Sequence, residues 1–199
     1  MTKLVIATGN PGKIQELQAL LQHLPITLIN PHDLSLFLQI EEQNDSYFAN
    51  AKRKARAYAK HSGLWSLADD SGLEVDVLQG APGLQSARLA GPGRSDADRR
   101  AFLLTLLQPH PKPWTARFRC VVVLASPEGE IDFAEGVCEG EIIPHERGDQ
   151  GFGYDPIFLL KDRDKTMAEL TMEEKNRLSH RALAIQAILP MITERMEMS

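Results

Sequence analysis

The sequence predicts an α/β fold built on a mixed β-sheet. Two patterns point there. Strand-like and helix-like stretches alternate through the first half of the chain. Two long strand-like stretches then follow each other directly, joined at Pro127-Glu128-Gly129, as in an antiparallel hairpin. The 199 residues make one or at most two domains, enough to bury a core without staples. No long polar linker, repeat or low-complexity segment divides the sequence.

The elements read in order as follows. Leu4-Val5-Ile6 marks a buried strand over 3–8. Ile14, Leu17, Leu20, Leu21 and Leu24 recur at helical spacing and place a helix over 11–23. A short strand over 26–29 leads to an irregular acidic stretch with Glu41, Glu42 and Asp45. A helix over 46–61 turns Ala51, Ala55, Tyr58 and Ala59 inward. A strand over 65–69 ends in Asp69-Asp70-Ser71-Gly72. A loop rich in Gly and Pro spans 80–93, and Ser95 caps a helix over 96–107. Strands over 114–125 and 130–140 form the hairpin, 144–157 is glycine-rich, and a helical region closes the pattern over 171–189.

Composition excludes several classes. The net charge of −5 argues against a nucleic-acid footprint, which is usually basic. No apolar run approaches the ~18 residues of a membrane span. No charged segment followed by an apolar one suggests a secretory signal. Cys120 and Cys138 stand apart, without CxxC spacing, and read as buried thiols. The expected setting is a reducing cytoplasm.

The run Thr8-Gly9-Asn10-Pro11-Gly12-Lys13 sits where the first strand becomes the first helix. Helix-start N–H groups and the positive end of the helix dipole collect there. Asn10 suits the N-cap and Pro11 the first helical position. Lys13 adds a full charge. The run is either a phosphate cradle or a well-capped turn with a surface lysine. It is not a Walker A loop, because its glycine spacing differs and Ile14 stands where that motif needs Ser or Thr.

Adjacent Asp69 and Asp70 should point to opposite faces of their strand. Carboxylates at a strand's carboxyl end are placed to hold Mg²⁺, which takes one or two of them with phosphate oxygens and water. An Asx turn ending the strand is the rival reading. Glu41 and Glu42 are a second source of metal ligands or simply solvated acids. Lys54, on the basic second helix, either reaches a phosphate or lies on a solvated face.

Gly151-Phe152-Gly153-Tyr154-Asp155-Pro156 puts two aromatics and an acid in a glycine-rich loop. Such rings stack on a base or plug a core. Thr171-Met172-Glu173-Glu174 is a capping box. On one continuous helix, Lys175 and Arg181 would face apart at ~100° per residue. If Lys175, His180 and Arg181 share a ligand, the helix must break near Leu178-Ser179.

Taken together, these stretches closely resemble the Ham1/inosine triphosphatase-like family. Gly80-Ala81-Pro82-Gly83 and Ser86-Ala87-Arg88 add to the match, which runs nearly end to end in the same order. The resemblance implies a single ITPase-like domain over 1–199, with a long mixed sheet flanked by helices and two lobes with an active cleft between them. It implies a homodimer that hydrolyses non-canonical purine nucleoside triphosphates (ITP, dITP, XTP) to the monophosphate and pyrophosphate with Mg²⁺, a house-cleaning role in the cytoplasm. No nucleic acid or membrane is implied as a partner. By position, Thr8, Gly9, Asn10, Pro11, Gly12 and Lys13 would hold phosphates, with Lys54 assisting. Asp70 would bind the metal and accept the proton of the attacking water, and Ser71 would touch substrate. Glu42, with Glu41, would complete the metal site. Phe152 would stack on the base, with Gly153, Tyr154 and Asp155 in the same loop, and Lys175, His180 and Arg181 would meet the base.

The sequence departs from the family pattern in places. Gln43-Asn44 stands where Thr-Gly is common, Ala49 where glutamate precedes Asn-Ala, Leu89 where an aromatic follows Ser-Ala-Arg, and Gln150 where glycine is common. The first two bear on the metal ligands around Glu41 and Glu42, and none bears on Asp70. A pyrophosphatase for another modified nucleotide, or a non-catalytic nucleotide-binding module, are the alternative readings.

Overall fold

The computed structural model describes residues 2–36, 38, 40 and 46–197. Six strands form one sheet in the order β2-β1-β3-β4-β5-β6. They are β1 (Thr2–Ile6), β2 (Ile26–Ile29), β3 (Trp65–Val75), β4 (Trp114–Ala125), β5 (Ile131–Ile142) and β6 (Phe158–Leu160). The helices are α1 (Pro11–Leu21), α2 (Tyr47–Ser62), α3 (Asp96–Leu107), α4 (Met172–Leu178) and α5 (His180–Glu197). β1 pairs in parallel with both β2 and β3, whereas β5 and β6 are antiparallel. The sheet is therefore mixed, and the α/β class read from the sequence stands.

By its contacts the chain forms two compact units. The first comprises Met1–Asp70, Cys120–Gly136 and Arg181–Ser199; the second comprises Ser71–Arg119 and Val137–His180. In the first, the inner stripe of α1 (Leu17, Leu20, Leu21) and that of α5 (Ala182, Ile185, Ile188, Ile192) close over Leu4, Ile6, Leu67, Cys120, Val122 and Leu124. These strand positions are two apart within each strand, as one sheet face requires. In the second, Leu103 and Leu107 of α3 join Leu73, Val75, Phe118, Ile157 and Phe158. Both cysteines are free and buried, as expected. Burial pushes each thiol up to about 12. No helix among the described residues is long and apolar enough to cross a membrane.

Beyond shifts of a few residues at other ends, an added short strand β6 and a last helix that runs on to Glu197, two differences from the sequence reading bear on the site. β3 does not end at Asp69; it runs on to Val75. The Asp-Ser-Gly sequence favours a turn, but here the strand continues, with the Leu73 N–H donating to Ser86 Oγ and the Val75 N–H to the Ala81 carbonyl. Leu73 and Val75 then bury the strand's second half. The closing helical region is two helices, parted at Ser179, whose φ of −70° and ψ of 154° are extended. The break falls where a shared ligand for Lys175, His180 and Arg181 requires it.

Candidate active site

In the first unit, β1 stops and the chain enters α1 through Thr8-Gly9-Asn10. The Ala7 N–H donates to the Leu67 carbonyl, so this turn leaves the sheet beside β3. Asn10 is the N-cap, as read from the sequence. Its Oδ1 accepts from the N–H groups of Gly12 (2.9 Å) and Lys13 (3.2 Å). The Asn10 N–H in turn donates to Thr8 Oγ1 at 3.2 Å. Three N–H groups expected to greet an anion are thus already held by side chains. Gly9 is exposed, and a Cβ there would meet nothing within 4 Å, so the turn borders open space.

Asp69 and Asp70 point to opposite faces of β3, as alternation demands. Asp69 shares its face with Leu67 and is fully buried. Its Oδ2 receives Lys13 Nζ at 2.8 Å and Arg181 Nη2 at 2.9 Å. Arg181 also donates to Glu16 of α1. Burial alone would push the Asp69 carboxyl up. Lys13, Arg181 and Lys54 outweigh that and hold it well below the usual carboxylate range. Two acids and two bases thus form a buried network, the arrangement in which buried charge is tolerated.

Asp70 lies on the other face, under α2. Its Oδ2 accepts from Asn50 Nδ2 at 2.9 Å, and Lys54 Nζ stands 3.9 Å from Oδ1. Asn50 and Lys54 are four residues apart, so one face of α2 presents both. Arg53 donates to Asn50 Oδ1 at 3.1 Å, which turns the amide N–H toward Asp70. Ser71 follows on β3 and is half-buried. Glu41 and Glu42, expected as metal ligands, lie outside the described residues.

In the second unit, the loop over 151–155 and α4 form another cluster. Asp155 Oδ2 accepts from the Phe152 N–H (2.9 Å) and from Lys175 Nζ (2.6 Å). Lys175 Nζ lies 5.2 Å from the centre of the Phe152 ring, a cation–π distance. Gly151 has a φ of +76°, and a Cβ there would strike Asp155 and Lys175. Phe152, Asp155 and Lys175 therefore meet. Tyr154 is turned into the core, its hydroxyl donating to the Ser86 carbonyl at 2.7 Å. Its ring anchors the loop and is not on offer to a base. His180 is buried and stacked on Phe118 at 4.7 Å between ring centres.

Arg181 differs most from its expected place. Only 1% of it is exposed, and its guanidinium serves Asp69 and Glu16, not an open pocket. Lys175 meets Asp155, His180 stacks on Phe118, and Arg181 meets Asp69 and Glu16, with the helix break present.

The Ham1 family model matches residues 4–191. The chain belongs to the Ham1 family. A dITP/XTP pyrophosphatase of Desulforamulus reducens is 46% identical over 191 residues, covering 96% of this chain and 95% of that protein. One of Geobacter sulfurreducens is 45% identical over 186 residues, covering 93% and 94%. Among solved structures, a HAM1 protein from Coxiella burnetii superposes with a TM-score of 0.88 at 40% identity, covering 98% of this chain and 100% of that one.

Within this Ham1 fold, sequence reasoning missed two contributors, Asn50 and Glu16. Asn50 orients Asp70, and its signal was a polar residue among the inward positions of α2. Glu16 was hidden as one more helix glutamate. Asp69, on the face opposite Asp70, anchors Lys13 and Arg181. What the first unit can do chemically follows from this division. One carboxylate is consumed in fixing cations, and the other accepts from Asn50 with Lys54 Nζ 3.9 Å from its Oδ1.

Proposed function

We propose that this Ham1 chain hydrolyses non-canonical purine nucleoside triphosphates (ITP, dITP, XTP) to the nucleoside monophosphate and pyrophosphate. The observation that carries the reading is Asp70, a nearly buried carboxylate steered by Asn50 and Lys54. Its geometry suits a base that takes a proton from water. The water oxygen bonds to the α-phosphorus, the α–β anhydride bond breaks, and pyrophosphate leaves with the bond's electrons. Asp70 takes the water's proton.

Phosphoryl chemistry asks the protein chiefly for positioning and charge neutralisation. Thr8, Gly9, Asn10, Pro11, Gly12 and Lys13 are the phosphate-binding turn in this reading. An arriving phosphate exchanges with the Asn10 side chain for the Gly12 and Lys13 N–H groups. Lys54 assists, and Ser71 contacts substrate. Asp69 holds Lys13 in place and is itself braced by Arg181.

Among the described residues, no group of three or more His, Cys, Asp or Glu is set to hold a metal. Asp70 is the described donor, and one hard carboxylate oxygen together with phosphate oxygens and water suits Mg²⁺. When bound, Mg²⁺ neutralises phosphate charge and polarises the phosphoryl oxygens. Glu42 and Glu41 are its further proposed ligands.

In the second unit, Phe152 stacks on the base, within the loop that Gly153, Tyr154 and Asp155 shape. Lys175 is the donor to the 6-keto oxygen of hypoxanthine or xanthine. Adenine's exocyclic amine would leave that donor unpaired, which is where the discrimination arises. His180 supports this side by packing on Phe118. The resemblance further supports a homodimer in the cytoplasm, which sedimentation equilibrium tests for the assembly.

The deciding experiment is pyrophosphate release, coupled to inorganic pyrophosphatase, from ITP, XTP and GTP with and without Mg²⁺. Turnover of ITP and XTP well above GTP, lost on chelation, is expected. Metal-dependent binding without turnover would instead favour a sensing module, and turnover confined to another modified nucleotide would move the substrate.

A further inference from the structure

The Phe152 loop is pinned from outside by the start of α3, a helix that neither the sequence motifs nor the proposed chemistry uses. Ser95 caps this helix, its Oγ accepting from the Asp98 N–H at 3.1 Å, so the first turn is well defined. Asp96 and Arg100 are four residues apart and project from one side of it. The Gly153 N–H donates to Asp96 Oδ2 at 2.7 Å. The Gly153 carbonyl accepts from Arg100 Nη1 at 2.8 Å. Arg100 is itself aimed by Glu146, whose two carboxylate oxygens take Nε at 2.8 Å and Nη2 at 3.0 Å.

Phe152 is held just as fully by Asp155. Its N–H donates to the Asp155 side chain, and its carbonyl accepts from the Asp155 N–H at 3.2 Å. All four backbone polar groups of residues 152 and 153 are therefore occupied. Gly153 needs this help. Its φ is +63°, a Cβ there would meet nothing within 4 Å, and no side chain of its own fixes it. A glycine at such a place loses more freedom on ordering than any other residue. Charge-assisted hydrogen bonds from two sides oppose that loss.

We propose that Asp96 and Arg100 are positioning residues for base recognition, clamping both backbone groups of Gly153 so that the Phe152 ring is presented in one fixed pose. The proposal rests on the reading that Phe152 stacks on the base. Neither residue touches substrate. Their contribution is to remove the ordering cost that a loose loop would impose on binding. It should appear in KM and not in kcat, since the loop takes no part in proton transfer.

The test uses the full-length protein, with ITP kinetics and amide hydrogen exchange of residues 152 and 153 measured on the same variants. Asp96→Ala and Arg100→Ala should each speed exchange in the loop and raise KM about tenfold, the scale of one charged hydrogen bond, with kcat within about twofold. Asp96→Asn keeps an accepting oxygen for the Gly153 N–H and should recover most of the loss. Combining Arg100→Ala with Phe152→Ala should be no worse than Phe152→Ala alone, because both act through one ring.

Unchanged exchange and KM in Arg100→Ala would overturn the clamp, while a raised KM in Phe152→Ala alone would leave the base reading standing. Additive losses in the double variant would also overturn it, since Arg100 would then act by another route. If Phe152→Ala itself left KM intact, the base reading would fail and the positioning role would fall with it. The exchange rates would then still say whether the clamp holds the loop.

Discussion

Lys13 Nζ and Asp69 Oδ2 lie 2.8 Å apart, which ties the first turn of α1 to the middle of β3. The pair explains how a long, flexible lysine keeps a defined position beside a turn that opens on free space. Asp69 is fully buried, while Lys13 keeps 14% of its side chain exposed, enough to meet an anion without leaving its partner. Lys13→Met should therefore raise KM for ITP about tenfold, on the scale of a lost charged hydrogen bond. Lys13→Arg should retain much of the affinity. Stability should fall less than for a change at Arg181, because Arg181 still neutralises Asp69. Steady-state kinetics and urea unfolding on the two variants check both statements.

Asp70→Asn tests the other face of the strand. Asparagine matches the carboxylate in shape and its carbonyl oxygen still accepts from Asn50, so the fold should survive with a change within about 1 kcal/mol. Pyrophosphate release should fall by a factor of about 10²–10⁴, the usual worth of a general base. Retention of full activity would remove Asp70 from its proposed role.

Much of this was legible in the sequence, for identifiable reasons. The Asn10, Ser95 and Thr171 caps follow from local rules and each is present, and the break at Ser179, expected from a shared ligand, is present too. The opposite facing of Asp69 and Asp70 followed from strand alternation. Length was the weak point. β3 runs through Asp69-Asp70-Ser71-Gly72 to Val75, and the N–H groups of Leu73 and Val75 find their partners at Ser86 and Ala81, beyond the reach of a turn rule. The partners of Arg181 were illegible for a similar reason. Its partners Asp69 and Glu16 are 112 and 165 residues away, and no local pattern signals a buried ion pair of that span.

Gly151 offers a steric test of the second cluster. Its left-handed φ of +76° is costly for alanine, and the new Cβ would press on the Asp155 carboxylate and on Lys175. Gly151→Ala should therefore cost about 1–3 kcal/mol of local stability. It should also raise KM for ITP with little change in kcat, because the residues displaced are those proposed at the base. Thermal melts and kinetics on the single variant suffice. An unaltered KM would mean that the Asp155–Lys175 pair has no part in substrate binding.

Arg181→Met leaves Asp69 and Glu16 buried with one cation fewer between them. Breaking a buried pair in this way typically costs about 3–5 kcal/mol. The pH dependence carries a definite sign. The Asp69 carboxyl lies well below its ordinary value in the folded protein, so its stabilisation is fully present above the unfolded pKa, about 3.9. It drains away as pH falls from there toward the lowered folded value, because the unfolded chain takes up the proton first. In Arg181→Met the folded pKa rises toward normal and there is less to lose. The stability gap between parent and variant should thus be widest near pH 7 and narrow below about pH 4. Urea unfolding at pH 7 and pH 3 measures it, and a gap that stays constant or widens in acid would show that Arg181 does not hold Asp69 ionised.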